Sequence, residues 1–136
     1  MAGGVGSRRE ARERALALLY EAETKGLRPD EVIDALPLVP EEFAADLALG
    51  VGEHREEIDA LIRRYARDWR LERMPAIDRA LLRMAVYELT HRPDVPTAAV
   101  ITEAVELAKR YSTDESGRFV NGMLASIAEE VRGALS

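Results

Sequence analysis

The sequence contains no cysteine, which removes disulfides, thiolate metal sites and cysteine nucleophiles together and fits a reducing compartment. It has no run of about 18 apolar residues and no hydrophobic stretch near its start. Neither a transmembrane helix nor a secretory signal is read, and a cytoplasmic location away from membranes is expected. Only two histidines occur, His54 and His91, and neither has a second histidine or a carboxylate at the spacing of a zinc helix motif. They read as surface or helix-end residues, so no metal ligand and no cofactor is assigned. No Gly-x-Ser-x-Gly or nucleotide fingerprint is present. Gly3, Gly4 and Gly6 are followed by no Lys-Ser or Lys-Thr, as a phosphate loop would require. The carboxylates Asp30, Glu31, Asp34, Glu41 and Glu42 fall at helix starts, where capping explains them. With no catalytic set, the chain is not expected to be an enzyme.

What is present is ordinary globular composition: 47% hydrophobic and 32% charged residues over 136 positions, enough for one domain with a real core. Residues 1–7 read as a flexible tail and 8–136 as the domain. The formal charge of -6 argues against nonspecific wrapping of duplex DNA, because affinity for a phosphate backbone comes mainly from lysine and arginine. Any nucleic-acid site must be local.

Apolar residues recur at helical spacing throughout, and no segment alternates with period two, so the class is all-α. Ser7 with Glu10 forms a candidate capping box for a first helix reaching about Thr24, with Gly26 as its C-terminal cap. A short helix follows from Pro29 to Leu36. A long pattern then starts at Pro40 and runs from Phe43 to Tyr65. Gly50 and Gly52 within it allow either close approach of a neighbour or a break. Trp69, Leu71 and Met74 read as an apolar link. Helices follow from Pro75 to Leu89, from Thr97, its expected cap, to Ala108, and from Phe119 to Val131, with Ser112 to Gly117 polar and turn-like.

Two clusters suggest a ligand. At 100° per residue Arg9, Arg12, Leu16 and Tyr20 fall on a stripe roughly 80° wide, with Arg8 at its margin. Arginine engages phosphate bidentately and aromatic faces stack on splayed bases, so the stripe suits single-stranded RNA. A solvated charged helix end with a half-buried tyrosine, flanked by Glu10 and Glu13, fits the same spacing. The second cluster runs from Lys109, Arg110 and Tyr111 to Glu115, Arg118, Phe119 and Asn121. The Asn121 amide faces either a core backbone group or a ligand.

Four segments in order resemble the NusB family. They are Arg8-Arg9-Glu10-Ala11-Arg12-Glu13 with Leu19-Tyr20, Ile77-Asp78-Arg79-Ala80-Leu81-Leu82-Arg83 with Val86-Tyr87-Glu88-Leu89, Asp94-Val95-Pro96 with Ile101-Thr102-Glu103-Ala104-Val105-Glu106-Leu107-Ala108-Lys109, and Arg118-Phe119-Val120-Asn121-Gly122-Met123-Leu124. The resemblance implies an all-α bundle of two three-helix halves plus an additional helix. It implies a transcription antitermination factor that binds the boxA single-stranded RNA of nascent ribosomal transcripts jointly with the ribosomal small-subunit protein acting as NusE. That complex joins RNA polymerase with NusA and NusG. By position, Arg8, Arg9, Arg12, Tyr20, Tyr111, Glu115, Arg118 and Phe119 would contact RNA, and Asp78 and Arg79 would meet the protein partner.

The chain departs from the family pattern at Glu10, where a third arginine can occur, and at Thr102, where asparagine is usual. An acidic surface suits a basic ribosomal partner, leaving the arginine stripe for RNA. Two alternatives stand beside this reading. One is the NusB-like RNA-binding domain of a ribosomal RNA cytosine methyltransferase, which needs a catalytic domain and nucleophilic cysteine that this chain lacks. The other is a structural homodimer closed through the same surface.

Overall fold

A computed structural model describes the backbone of residues 5–133 and the side chains from Arg8 onward. Its elements are α1 (Val5–Lys25), α2 (Pro29–Asp34), α3 (Glu42–Glu53), α4 (Arg55–Ala66), a 3₁₀ turn (Leu71–Arg73), α5 (Ala76–His91), α6 (Thr97–Tyr111) and α7 (Asp114–Arg132). The described residues contain no strand. α1 packs on α2 and α3, α6 and α7 pack on each other, and α4 lies against α5 and α7. α5 touches α1, α3, α4, α6 and α7, and so forms the shared axis of the fold.

A helix in that position must be buried all round. Residues Ala80 to Leu89 of α5 are buried without interruption, and Asp78 is buried as well. That run includes two charged residues, Arg83 and Glu88, each with a counter-charge. Arg83 makes two bonds to Asp59 of α4, 2.8 and 3.1 Å. Glu88 meets Arg12 of α1. At the end of α5, Arg132 of α7 donates to the carbonyls of Glu88, Leu89, Arg92 and Val95. One guanidinium thereby satisfies acceptors that a helix C-terminus leaves open.

Local boundaries differ from expectation in identifiable ways. α1 begins at Val5, so Ser7 lies inside the helix rather than capping it, while residues 1–4 of the expected tail are outside the described residues. Helix ends commonly shift by a turn fraction in this way. Glu41 caps α3 by accepting from the Ala44 amide at 3.3 Å, which leaves Pro40 just ahead of the helix. Thr97 is the first residue of α6 rather than its cap, and its hydroxyl accepts from Arg132. Ser112 to Gly117 is not a turn throughout: Thr113 accepts the Ser116 amide at 2.9 Å and α7 starts at Asp114. Gly26 terminates α1 at φ +67, as a left-handed C-terminal residue should.

The long pattern from Phe43 to Tyr65 is two helices, broken at His54 (φ -110, ψ 26) and not at the glycines. Gly50 serves close approach instead, since a Cβ there would stand 2.2 Å from the Tyr87 ring of α5.

Candidate nucleic-acid interface

The arginines of α1 do not share one surface. Arg9 points toward α6, where Nε and Nη2 each donate to a Glu103 carboxylate oxygen at 2.8 Å. These bonds hold the Glu103 carboxyl below its ordinary value and raise Arg9 further. Arg9 nevertheless stays substantially open to solvent. Arg12 is only 5% exposed and is closed into a bidentate pair with Glu88, at 2.7 and 2.9 Å. Its guanidinium is part of the core, which corrects the expectation that it projects with Tyr20.

Arg8 turns to the opposite flank and lies 4.0 Å over the Phe43 ring of α3, with Arg92 4.9 Å and Arg12 5.3 Å from the same ring. The aromatic partner of the amino-terminal cations is therefore Phe43 and not Tyr20. Asp46 and Asp94 offset the charge there through Arg92. The bond from Arg92 pulls Asp94 down to about 2. Burial, with a bond to Asp46, pushes the Tyr87 hydroxyl up to about 12.

Arg9, Glu13, Tyr20 and Glu23 do lie along one stripe of α1 at helical spacing. Glu13 accepts from Arg110 at 2.6 Å and from the Tyr111 hydroxyl at 3.0 Å, fixing the end of α6 against the stripe. Glu23 accepts from Arg79 at 2.9 Å, fixing the start of α5. Tyr20 and Tyr111 both keep exposed rings. Arg79 also donates to the carbonyls of Leu71 and Met74 at 3.0 and 2.7 Å, so its guanidinium is a clasp between α1, the 3₁₀ turn and α5 rather than a free charge.

Asp78, which the resemblance places at the protein-partner contact, is only 3% exposed. Its Oδ2 accepts from Ser116 of α7 at 2.8 Å. Its Oδ1 is the one buried side-chain oxygen or nitrogen among the described residues that has no hydrogen-bond partner. Asp78 is among the residues around an open groove of about 600 Å³, with Trp69, Ser112, Glu115, Arg118 and Phe119. An unpaired buried acceptor costs free energy unless a ligand or water satisfies it. Arg118 and Glu115 are exposed at the groove, and no salt bridge among the described residues engages either. Asn121 is exposed on α7, which excludes the core alternative.

Trp69 was expected in an apolar link. It is 53% exposed, and its ring stands 5.6 Å from that of Phe119 at 41°. It escaped sequence reading because only the fold brings the loop after α4 beside the start of α7. The groove thus combines two aromatic faces, an uncommitted guanidinium and carboxylate acceptors. These are the components that hold and read unpaired bases. The sequence-derived set divides accordingly: Arg9, Tyr20, Tyr111, Glu115, Arg118 and Phe119 are accessible, Arg12 is sealed, and Arg8 belongs to another flank.

The NusB family model matches residues 9–129. The chain is 48% identical to a transcription antitermination protein NusB of Symbiobacterium thermophilum, an alignment that covers 94% of this chain and 93% of that one. The solved structure of T. maritima NusB is 35% identical, covers 96% of this chain and 94% of its own, and superposes with a TM-score of 0.83. A crystal structure of antitermination factors NusB and NusE in complex with dsRNA is 28% identical, covers 93% of this chain and 99% of its own, and gives a TM-score of 0.79. With most of the chain matched in sequence and in helix arrangement, this protein belongs to the NusB family of transcription antitermination factors.

Proposed function

We propose that this chain binds boxA-type single-stranded RNA of nascent ribosomal transcripts together with the ribosomal small-subunit protein that acts as NusE, and so recruits RNA polymerase, NusA and NusG into a cytoplasmic antitermination complex. The observation that carries the reading is the exposed Trp69 ring beside the half-buried Phe119 ring, in a groove that also holds the exposed, uncommitted Arg118. Stacking on such rings tolerates any base, while the carboxylates accept from base edges. The role is binding, not catalysis.

In this reading Phe119, Arg118, Glu115, Tyr111, Tyr20 and Arg9 touch RNA, and Trp69 joins them. Arg12 supports the surface from beneath through Glu88. Asp78 moves from the protein partner to the RNA groove. The surface formed by the Glu23–Arg79 clasp is left as the candidate partner contact. The solved NusB and NusE complex with dsRNA supports pairing RNA with that class of partner.

The test is a titration of boxA-like and scrambled single-stranded RNA, with and without the ribosomal partner. Tighter binding of the boxA-like strand, improved by the partner, is expected. With about three phosphates neutralised, log affinity should fall against log salt with a slope near −2. Equal affinity for both strands in the presence of the partner overturns the boxA assignment. A dimer that persists without RNA uptake on gel filtration would favour the scaffold alternative.

A further inference from the structure

Sequence spacing alone separates the two histidines by 37 positions and gives neither a metal motif. The fold puts them in contact. His54 occupies the break between α3 and α4, and His91 is the last residue of α5. Their rings stack with centroids 3.9 Å apart and planes 24° apart. Glu57, in the first turn of α4, faces both: its Oε1 is 3.4 Å from His54 Nδ1 and 3.4 Å from His91 Nε2. One ligand atom from each of the three residues falls within 4.8 Å of the other two.

These distances are longer than an ordinary N–H···O hydrogen bond, which lies at about 2.7–3.2 Å. They match another geometry. Imidazole nitrogen and carboxylate oxygen bind zinc at about 2.0–2.2 Å in a tetrahedral shell, which places neighbouring ligand atoms about 3.4 Å apart. Neutral imidazole is the form that binds metal.

The backbone holds the set in advance. The His54 amide donates to the Gly50 carbonyl at 2.9 Å, and its carbonyl accepts from Ile58 at 3.0 Å. The Tyr87 ring backs His91 at 5.4 Å. Glu53 stands 3.9 Å from His54 Nε2, the ring nitrogen not facing Glu57 and beyond hydrogen-bond reach. Side-chain exposures of 32%, 50% and 30% for His54, Glu57 and His91 leave an entry path and room for a water in a fourth position.

We propose that His54, Glu57 and His91 form a binding site for a divalent transition metal of the zinc class. Two imidazoles and one carboxylate suit Zn²⁺, Ni²⁺ or Cu²⁺, whereas Mg²⁺ prefers an all-oxygen, largely hydrated shell. The bound ion ties the α3–α4 break to the end of α5, beside the flank formed by Phe43, Arg8 and Arg92.

The experiment is calorimetric titration of Zn²⁺ into the full chain after removal of any affinity tag and of adventitious metal. One equivalent is expected to bind, and Mg²⁺ is expected not to. Loss of an outer partner alone weakens metal sites about 10- to 100-fold, so His54→Ala and His91→Ala should each weaken binding by more than tenfold. Glu57→Gln, at an exposed position that leaves the stacked rings in place, should weaken it while retaining the helical circular dichroism of the parent. Zn²⁺ should raise the melting temperature of the parent and not of the His54→Ala/His91→Ala double variant. Absence of saturable Zn²⁺ binding, or binding of equal strength in the folded Glu57→Gln and double variants, would overturn the site.

Discussion

Arg12 and Glu88 face one another inside the core through two charge-assisted bonds of 2.7 and 2.9 Å. This pair joins α1 to the central helix at a point where each helix would otherwise present a lone charge. Removing one partner of such a pair leaves the other buried and unpaired, at a cost of about 3–5 kcal/mol. Arg12→Ala is therefore expected to lower the urea midpoint sharply, and RNA binding should fall with the folded fraction. The double replacement Arg12→Met with Glu88→Leu should recover most of that stability, because apolar pairs of similar volume substitute well for buried ion pairs. A single variant as stable as the parent in urea would contradict the pairing.

Trp69 is the sole tryptophan, so its fluorescence reports on the groove alone. Adding boxA-like RNA should change its emission with the same midpoint as binding measured by other means. Trp69→Ala should weaken RNA binding by about 1–3 kcal/mol, the usual worth of one base stacked on a ring. Because the side chain is exposed, the melting temperature should barely move. Unchanged emission at saturating RNA would exclude the ring from the interface.

Glu103 is held below its ordinary value of 4.5, first by the bonds from Arg9 and then by Coulomb attraction, while burial acts against them. A depressed folded value means the unfolded chain takes up a proton first as pH drops. The stabilisation from this pair is thus complete above pH 4.5 and is lost as pH falls through the lower folded value. Urea unfolding of the parent and of Glu103→Gln should differ most near neutrality and converge in acid. A gap that widens with acidification would reverse the sign of the assignment. Solvent screening at the half-open Arg9 keeps the effect small.

Two glycines in helices should respond oppositely to alanine. At Gly50 the new Cβ would stand 2.2 Å from Tyr87 Cζ, and overpacking of this kind costs about 1–3 kcal/mol. At Gly122 nothing lies within 4 Å, so alanine should stabilise α7 by about 0.5–1 kcal/mol. Thermal melts of the two variants should therefore move to opposite sides of the parent.

Much of the fold is legible in the sequence. The apolar period set the class and located the buried faces of α1, α6 and α7, and Gly26 marked a real helix end, whereas α5 is buried all round and not on one side alone. Helical spacing also put Arg9 and Tyr20 on one stripe. It could not say that Arg12, on the same stripe, turns inward, because that depends on Glu88, 76 residues away. Trp69 beside Phe119, Asp78 beneath the groove and His54 against His91 are likewise contacts between segments remote in sequence.

Spacing and the scarcity of special residues thus determined by themselves that this chain is a bundle of amphipathic helices with no cysteine chemistry. Those properties depend on neighbours within about four residues, which a linear reading contains. The tertiary structure alone decided which charges are buried in pairs, which are left to meet a ligand, and which rings share a groove. A side chain's role there depends on the counter-charge or ring that packing brings to it, and burial raises the cost of leaving it without one.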